Sequence, residues 1–394
     1  LVPLCLAINT TVFRRFSTPN YSSSETMTIP TLLTPNKELI IKLLREAGHD
    51  ASDEDSFKFE RTGEGRGFAS LIYKVELGNR SFVVKITNAA VNLDGVDRNG
   101  LLLNVHDREV AFYKWITAYL AEAGADATDA KRIAKFYGGQ PCDETQGILI
   151  MEDLSGRIFK DVDYIQGYSI PVVKSIIEQI VGYQSAYLTS RKEFENPDLT
   201  VLHNAIGDLT AQCVTTYAAK KSWITDEIKS TLLSWCDKDA LIDIQEGLNG
   251  ETDISQTLTH CDLWPNNMLF EKTDTHPEGD LLAILDFQCI RVGSPLLDVA
   301  SAIAVCLIPE DRREHTKELI KFYVDEMKKR SSRFTKKFEI TEEMAQRLYT
   351  RCLRFAALQL VMTAVFNPTS DEPNEGEEDG QLSKRLHAII EDIL

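Results

Sequence analysis

The strongest constraint on this fold is a change of hydrophobic period at Leu154. Before that point apolar residues alternate: Ser70-Leu-Ile-Tyr-Lys-Val-Glu-Leu77, a Gly78-Asn79 turn, then Ser81-Phe-Val-Val-Lys-Ile86. A period of two with an intervening turn predicts antiparallel strands. After Leu154 the apolar spacing becomes three and four. Helices are expected at Ile170–Leu188, Ala205–Tyr217, Trp223–Trp235, Arg313–Arg330 and Thr341–Phe366, interrupted by two strand-like segments, Asn267–Phe270 and Leu281–Asp286.

The first half also predicts a helix carrying Leu39, Ile40, Leu43 and Leu44, a strand at Phe57-Lys-Phe59, and a second helix over Asp107–Leu120. A strand pair follows, from Phe136 and over Gly147–Asp153. A glycine cluster, Gly63, Gly65 and Gly67, lies in the first hairpin. The expected class is α+β and two-lobed, with a small β-rich lobe over 35–154 and a larger, mainly helical lobe over 155–394. Residues 1–34 read as a leader, disordered or an artefact of the assigned start, with translation beginning at Met27. An organellar transit peptide is the other reading of its Arg/Ser/Thr-rich, acid-poor composition.

Charge excludes some functions. The chain has 60 acidic and 43 basic residues, a net charge of -17, and such a field repels nucleic acid and anionic membrane surfaces. No apolar run approaches the roughly 18 to 20 residues of a spanning helix, so no membrane insertion is expected. The acidic run Asp371–Asp379 reads as a solvated loop. The 8 cysteines are scattered without CxxC pairs, which favours reduced thiols in a cytoplasmic protein over disulfides or a zinc site. Oligomeric state is not written in these features.

The most specific signal is His260-Cys-Asp-Leu-Trp-Pro-Asn-Asn267, followed by the buried strand and acid of Ile284-Leu-Asp-Phe287. An acid, an amide five residues on, and a second acid at a strand end form the set that phosphoryl transfer requires. Asp262 would take the acceptor's proton. Asn267 and Asp286 offer the hard oxygens that magnesium prefers.

These motifs resemble those of the aminoglycoside phosphotransferase and choline kinase superfamily. The wording Leu263-Trp264, Asn266-Asn267-Met-Leu-Phe270 and Ile284-Leu-Asp-Phe-Gln288 is most similar to the ecdysteroid-kinase-like, or CHK kinase-like, branch. The resemblance implies a protein-kinase-like fold and transfer of the γ-phosphoryl group of ATP, with Mg2+, to a hydroxyl of a small molecule such as a steroid-like or choline-like alcohol. It further implies that Gly63, Gly65, Gly67 and Ser70 approach the phosphates, that Lys85 contacts them, and that Glu109 orients Lys85. Glu152 and Leu154, in Met151-Glu-Asp-Leu154, fall where the chain passes the adenine. His260 is expected to brace the backbone, and Asp298 to cap the helix it opens.

Two positions depart from the family pattern: Cys261, where glycine is commoner, and Gln184, where many relatives have histidine. A protein kinase fits less well, because Phe287-Gln288 replaces Phe-Gly and no Ala-Pro-Glu follows. A catalytically silent pseudokinase is the alternative, disfavoured by the joint presence of Lys85, Glu109, Asp262, Asn267 and Asp286. Tyr217, Trp223, Phe355 and Phe366 are candidates for the acceptor pocket wall.

Overall fold

The computed structural model describes residues 34–62, 70–87, 98–124, 132–142, 147–159, 163–194, 200–246, 255–274, 277–373 and 378–394. They divide into two compact units. One bears the main sheet, extends to Lys114 and takes in Ala134–Gly156; the other comprises Trp115–Ile133 and Arg157–Leu394. Gly63, Gly65 and Gly67 lie outside the described residues.

The sheet-bearing unit contains α1 (Lys37–Glu46), β1 (Lys58–Thr62), β2 (Ser70–Leu77), β3 (Arg80–Thr87), most of α2 (Arg98–Ala123), β4 (Phe136–Gln140) and β5 (Gly147–Glu152). The strands lie in the order β1-β2-β3-β5-β4, and every neighbouring pair is antiparallel. Alternation decides what each face carries. Tyr73, Val75 and Leu77 of β2, Phe82, Val84 and Ile86 of β3, and Ile148 and Ile150 of β5 share a core with Ile40, Ile41, Leu43 and Leu44 of α1. Burying each such side chain is worth roughly 1.5–3 kcal/mol. A one-residue slip of β3 would expose Val84 and Ile86 and drive Lys85 into that core, so the register is firmly set. Lys85 therefore stands on the face away from α1, paired in register with Ile72 and Leu149.

Side-chain caps fix the helix starts: Asn36 accepts from the Leu39 amide at 3.0 Å, Thr225 from Ile228 at 3.2 Å and Thr341 from Met344 at 3.1 Å. The α2 helix begins at Arg98 rather than at Asp107 as its spacing suggests.

The second unit is built on α3 (Ile170–Thr189), α4 (Thr200–Ala218), α5 (Asp226–Trp235), α6 (Lys238–Glu246), α7 (Leu297–Cys306), α8 (Pro309–Arg330), α9 (Glu342–Phe366) and α10 (Gln381–Ile393). All of α7 is buried, as expected of a helix that is apolar or small at every position except Asp298. Two short antiparallel ladders interrupt the helices. One pairs β7 (Met268–Glu271) with β8 (Asp280–Ile284), which fall on the two expected strand-like segments; the other pairs β6 (Thr257–Thr259) with β9 (Arg291–Gly293), neither of which the sequence suggests. Among the described residues no helix is long and apolar enough to cross a membrane.

Two further contacts tie distant segments together. The buried Arg385 donates to the Val305 carbonyl at 2.9 Å, the Tyr164 carbonyl at 2.6 Å and the Ile165 carbonyl at 3.0 Å. The ends of the acidic run are not solvated as expected. Lys221 bridges Asp371 at 3.1 Å and Asp379 at 3.0 Å, and Asp371 also accepts from the Ser383 amide at 2.8 Å. A Cβ at position 380 would collide with the Asp371 carbonyl, which is why Gly380 stands there.

Candidate active site

The sequence-predicted residues fall into two clusters, one inside each unit. In the sheet-bearing unit the Lys85 ammonium lies 2.6 Å from the Glu109 carboxylate, with side chains 9% and 1% exposed. Desolvating both charges costs about as much as their attraction returns, so a pair this deep contributes little net stability. Ser70 opens β2, and its hydroxyl meets that of Thr87 at 2.7 Å. At the end of β5 the Glu152 amide is taken by the Lys135 carbonyl at 2.9 Å, and Leu154 is buried. Between them the Asp153 carboxyl sits below the usual range, because hydrogen bonds from Ser155 and Ser81 and the nearby Lys74 outweigh the upward push of its burial.

The second cluster hangs from the two short ladders. The β6 strand leads into 260–262, and β7 starts beside Asn267. Met268 pairs with Ile284, and the Leu285 amide donates to the Asn267 carbonyl at 2.9 Å. This register brings Asp286 alongside the loop. Asn267 Nδ2 donates to the Asp262 carbonyl at 2.9 Å and to its carboxylate at 3.3 Å. With its nitrogen so committed, the oxygen of the Asn267 amide is the atom left to meet a cation. Asp262 is 1% exposed. Asp286 adopts a left-handed conformation, φ 65°, ψ 57°, and its side chain does not cap the short helix that follows.

His260 braces this loop. A carbonyl only accepts, so the 2.9 Å contact between His260 Nε2 and the Leu285 carbonyl makes Nε2 the donor; Nδ1 then accepts the Asp262 amide at 3.2 Å. One ring thus fixes the backbone before both Asp262 and Asp286.

Cys261 has φ 61°, the left-handed region that favours glycine, so cysteine is accommodated without changing the glycine-type backbone. What holds it there is Asp298, whose carboxylate accepts the His260 amide at 2.6 Å, the Cys261 amide at 3.0 Å and the Tyr183 hydroxyl at 2.6 Å. Capping is therefore not its task. The α7 helix has Leu296 at its N-cap, with no side-chain cap bond. Burial pushes the Asp298 carboxyl up while these hydrogen bonds pull it down, and burial also raises Tyr183. Gln184 donates to the Pro295 carbonyl at 3.0 Å and accepts from the Tyr323 hydroxyl at 2.7 Å.

Tyr183, Thr87 and His106 were not singled out by the sequence. His106 could have been, since it stands three residues before Glu109 and so on the same helix face. The suggested acceptor wall is not assembled as such. Phe355 and Tyr217 are 1% and 3% exposed, and the Tyr217 hydroxyl meets Asp371 at 3.1 Å. Trp223 stacks on His387 at 4.4 Å. His387 lines an open cavity of about 460 Å³ with Gln166, Arg313 and Lys384, and neither Asp262, Asn267 nor Asp286 belongs to it. Among the described residues no three His, Cys, Asp or Glu side chains gather as a metal site. Asn267 and Asp286 would supply two hard oxygens, which suits a cation that takes its remaining ligands from phosphate and water.

Residues 64–335, well over half of the 394-residue chain, match the ecdysteroid kinase-like family. The chain belongs to that family, and its architecture is α+β: a five-stranded antiparallel sheet with one inserted helix, and a mainly helical remainder. A Caenorhabditis elegans protein named uncharacterized oxidoreductase dhs-27 is 23% identical over 337 residues, which are 78% of this chain and 40% of that protein. The chain thus spans well under half the length of this curated relative. Among solved structures, a choline kinase from Cryptosporidium parvum is 13% identical with a TM-score of 0.48, covering 91% of this chain and 94% of that one. A putative aminoglycoside phosphotransferase from Ralstonia eutropha is 15% identical with a TM-score of 0.45, covering 90% and 96%. An ethanolamine kinase from Plasmodium vivax is 14% identical with a TM-score of 0.42, covering 86% and 82%.

Proposed function

We propose that the protein is an ATP-dependent phosphotransferase that moves the γ-phosphoryl group to a hydroxyl of a small molecule. The observation that carries this reading is the Asn267 amide bound to Asp262 at 2.9 and 3.3 Å. It joins a buried carboxylate, placed to accept a proton, to an amide oxygen suited to magnesium. Asp262 is the base that takes the acceptor's proton. Asn267 and Asp286 would hold Mg2+, which when bound neutralises phosphate charge.

Lys85, oriented by Glu109, contacts the nucleotide phosphates. Gly63, Gly65 and Gly67 bring backbone amides to the same phosphates, with Ser70 at the start of the returning strand. The backbone at Glu152 and Leu154, at the end of β5, hydrogen-bonds the adenine, with the Glu152 amide itself already taken by the Lys135 carbonyl. The buried Lys85–Glu109 pair supports activity over a silent scaffold, because an ion pair of little net stability is kept for what it does. The family description makes a steroid-like alcohol the first acceptor class to try, with choline-like and other metabolite alcohols next.

The test is transfer of labelled γ-phosphate from Mg-ATP into a fractionated small-molecule extract, beside Asp262→Asn. Loss of the general base is expected to cut transfer by roughly 10²–10⁴-fold while Mg-ADP binding persists. Full activity in Asp262→Asn would remove the base assignment. Tight Mg-ADP binding with no transfer to any fraction would favour a catalytically silent nucleotide-binding module.

A further inference from the structure

Beside the Lys85–Glu109 pair runs a chain of polar groups, from the part-buried Ser70 through the buried Thr87 and His106 to Gln140, and phosphoryl transfer assigns Thr87 and His106 no task. The Ser70 and Thr87 hydroxyl oxygens are 2.7 Å apart, Thr87 Oγ1 is 3.1 Å from His106 Nδ1, and His106 Nε2 is 3.0 Å from the Gln140 carbonyl. Thr87 and His106 are each 1% exposed.

The direction of the chain follows from its end. The Gln140 carbonyl can only accept, so Nε2 carries the proton; the neutral ring then offers its Nδ1 lone pair to the Thr87 hydroxyl, and the Thr87 oxygen accepts from Ser70. Burial, helped by the nearby Lys85 charge, keeps the ring neutral by lowering its pKa to about 4. Next to it the Asp107 carboxylate accepts the Cys142 amide at 2.7 Å. The fit is close: a Cβ at Gly147 would lie 2.5 Å from the His106 ring and 2.6 Å from Cys142 Sγ.

The chain and the ion pair share one geometry. Lys85 and Thr87 are two apart on β3 and face the same way, while His106 and Glu109 are three apart on α2 and face the same way. Strand and helix therefore meet at two rungs. The spacing is about 6.7 Å along the strand and about 4.5 Å along the helix, so a helix that slides or rotates cannot keep both. One ion pair alone, with little directional preference, would tolerate such movement.

We propose that His106, acting through Thr87, is a positioning residue that fixes Glu109 against Lys85 and couples that pair to Ser70 at the start of β2. This role rests on the phosphotransferase reading. It makes nucleotide affinity sensitive to a hydroxyl that touches no phosphate.

The experiment measures Mg-ADP binding by titration calorimetry on the full chain. Thr87→Val keeps the shape and removes the hydroxyl; it is expected to weaken binding about fivefold, the scale of one buried hydrogen bond. Thr87→Ser is expected to restore it. In a Glu109→Gln background, Thr87→Val should add no further loss, because the rung it supports is already gone. Additive losses, or failure of serine to restore binding, would reduce the chain to plain structure and overturn the proposal. Should Thr87→Val not fold, nitrogen-15 histidine spectra of the unsubstituted protein decide. A His106 ring protonated on Nε2 and neutral at pH 6 supports the relay, whereas an Nδ1–H tautomer or a charged ring at that pH overturns it. An unsubstituted chain that binds no Mg-ADP would overturn the phosphotransferase reading itself and this role with it, while binding with additive losses overturns the role alone.

Discussion

The two polar clusters secure their carboxylates by opposite means. Glu109 faces a cation 2.6 Å away, whereas Asp298, equally buried, is held by two backbone amides and a phenol. Opposite charges attract over a range of distances and angles, so the first arrangement sets an energy more than a shape. Amide donors fixed in the backbone do the reverse: they hold a particular loop conformation, including the left-handed Cys261. The first device suits the role proposed for Lys85, meeting incoming phosphates, and the second suits the base proposed at Asp262, which would have to stay in place.

The largest expected effect tests the first half of this contrast. Glu109→Ala leaves the Lys85 ammonium buried without its counter-charge and should cost about 3–5 kcal/mol in urea unfolding. The double replacement Lys85→Met with Glu109→Leu should regain most of that stability while Mg-ADP binding stays lost. A double variant as unstable as the single one would mean that the pair serves the fold, and the contrast would fail.

Next in size is a pH effect at His106, whose ring is held neutral where its neighbours are charged. Its folded pKa of about 4 lies below the ordinary 6.5. As pH falls below 6.5 the unfolded chain takes up the proton first, so stability is complete above 6.5 and is lost toward 4, by about 3 kcal/mol in all. Unfolding free energies measured across that window should fall more steeply for the unsubstituted protein than for His106→Gln.

The smallest effect concerns the second cluster. If Asp298 mainly holds Cys261 in its left-handed state, glycine at 261 needs less holding. Cys261→Gly should then recover about 1 kcal/mol of the stability lost in Asp298→Ala. Strict additivity in that cycle would show the carboxylate to be holding something other than residue 261.

What the sequence made legible was whatever repeats or lies close together. The alternation of β2 and β3 placed Lys85 on its face, and the spacing of the motif survives with Asp262 and Asn267 in the loop between β6 and β7 and Asp286 just past the end of β8. Three-residue strands such as Thr257–Thr259 and Arg291–Gly293 are too short to display a period, and they exist because each completes the other's ladder. The task of Asp298 was hidden because the amides it binds lie 37 and 38 positions upstream. A helix-opening aspartate looks like a cap until its partners are in view. Helical spacing likewise proposed Phe355 and Tyr217 as pocket wall, although aromatic residues at that spacing serve a core equally well.

Arg385 gives the assembly of the helical unit an order in time. The carbonyls of Tyr164 and Ile165 receive their Arg385 donor from 221 and 220 residues further along the chain, the first of them already accepting the Gly167 amide within its own turn. At about 5–20 residues per second a ribosome needs some tens of seconds to cover that stretch. During that interval the turn at 164–165 is without its guanidinium clasp, whereas the end of α7, only 80 residues before Arg385, waits about 4–16 s at the same rate, so the clasp closes last on the segment made first.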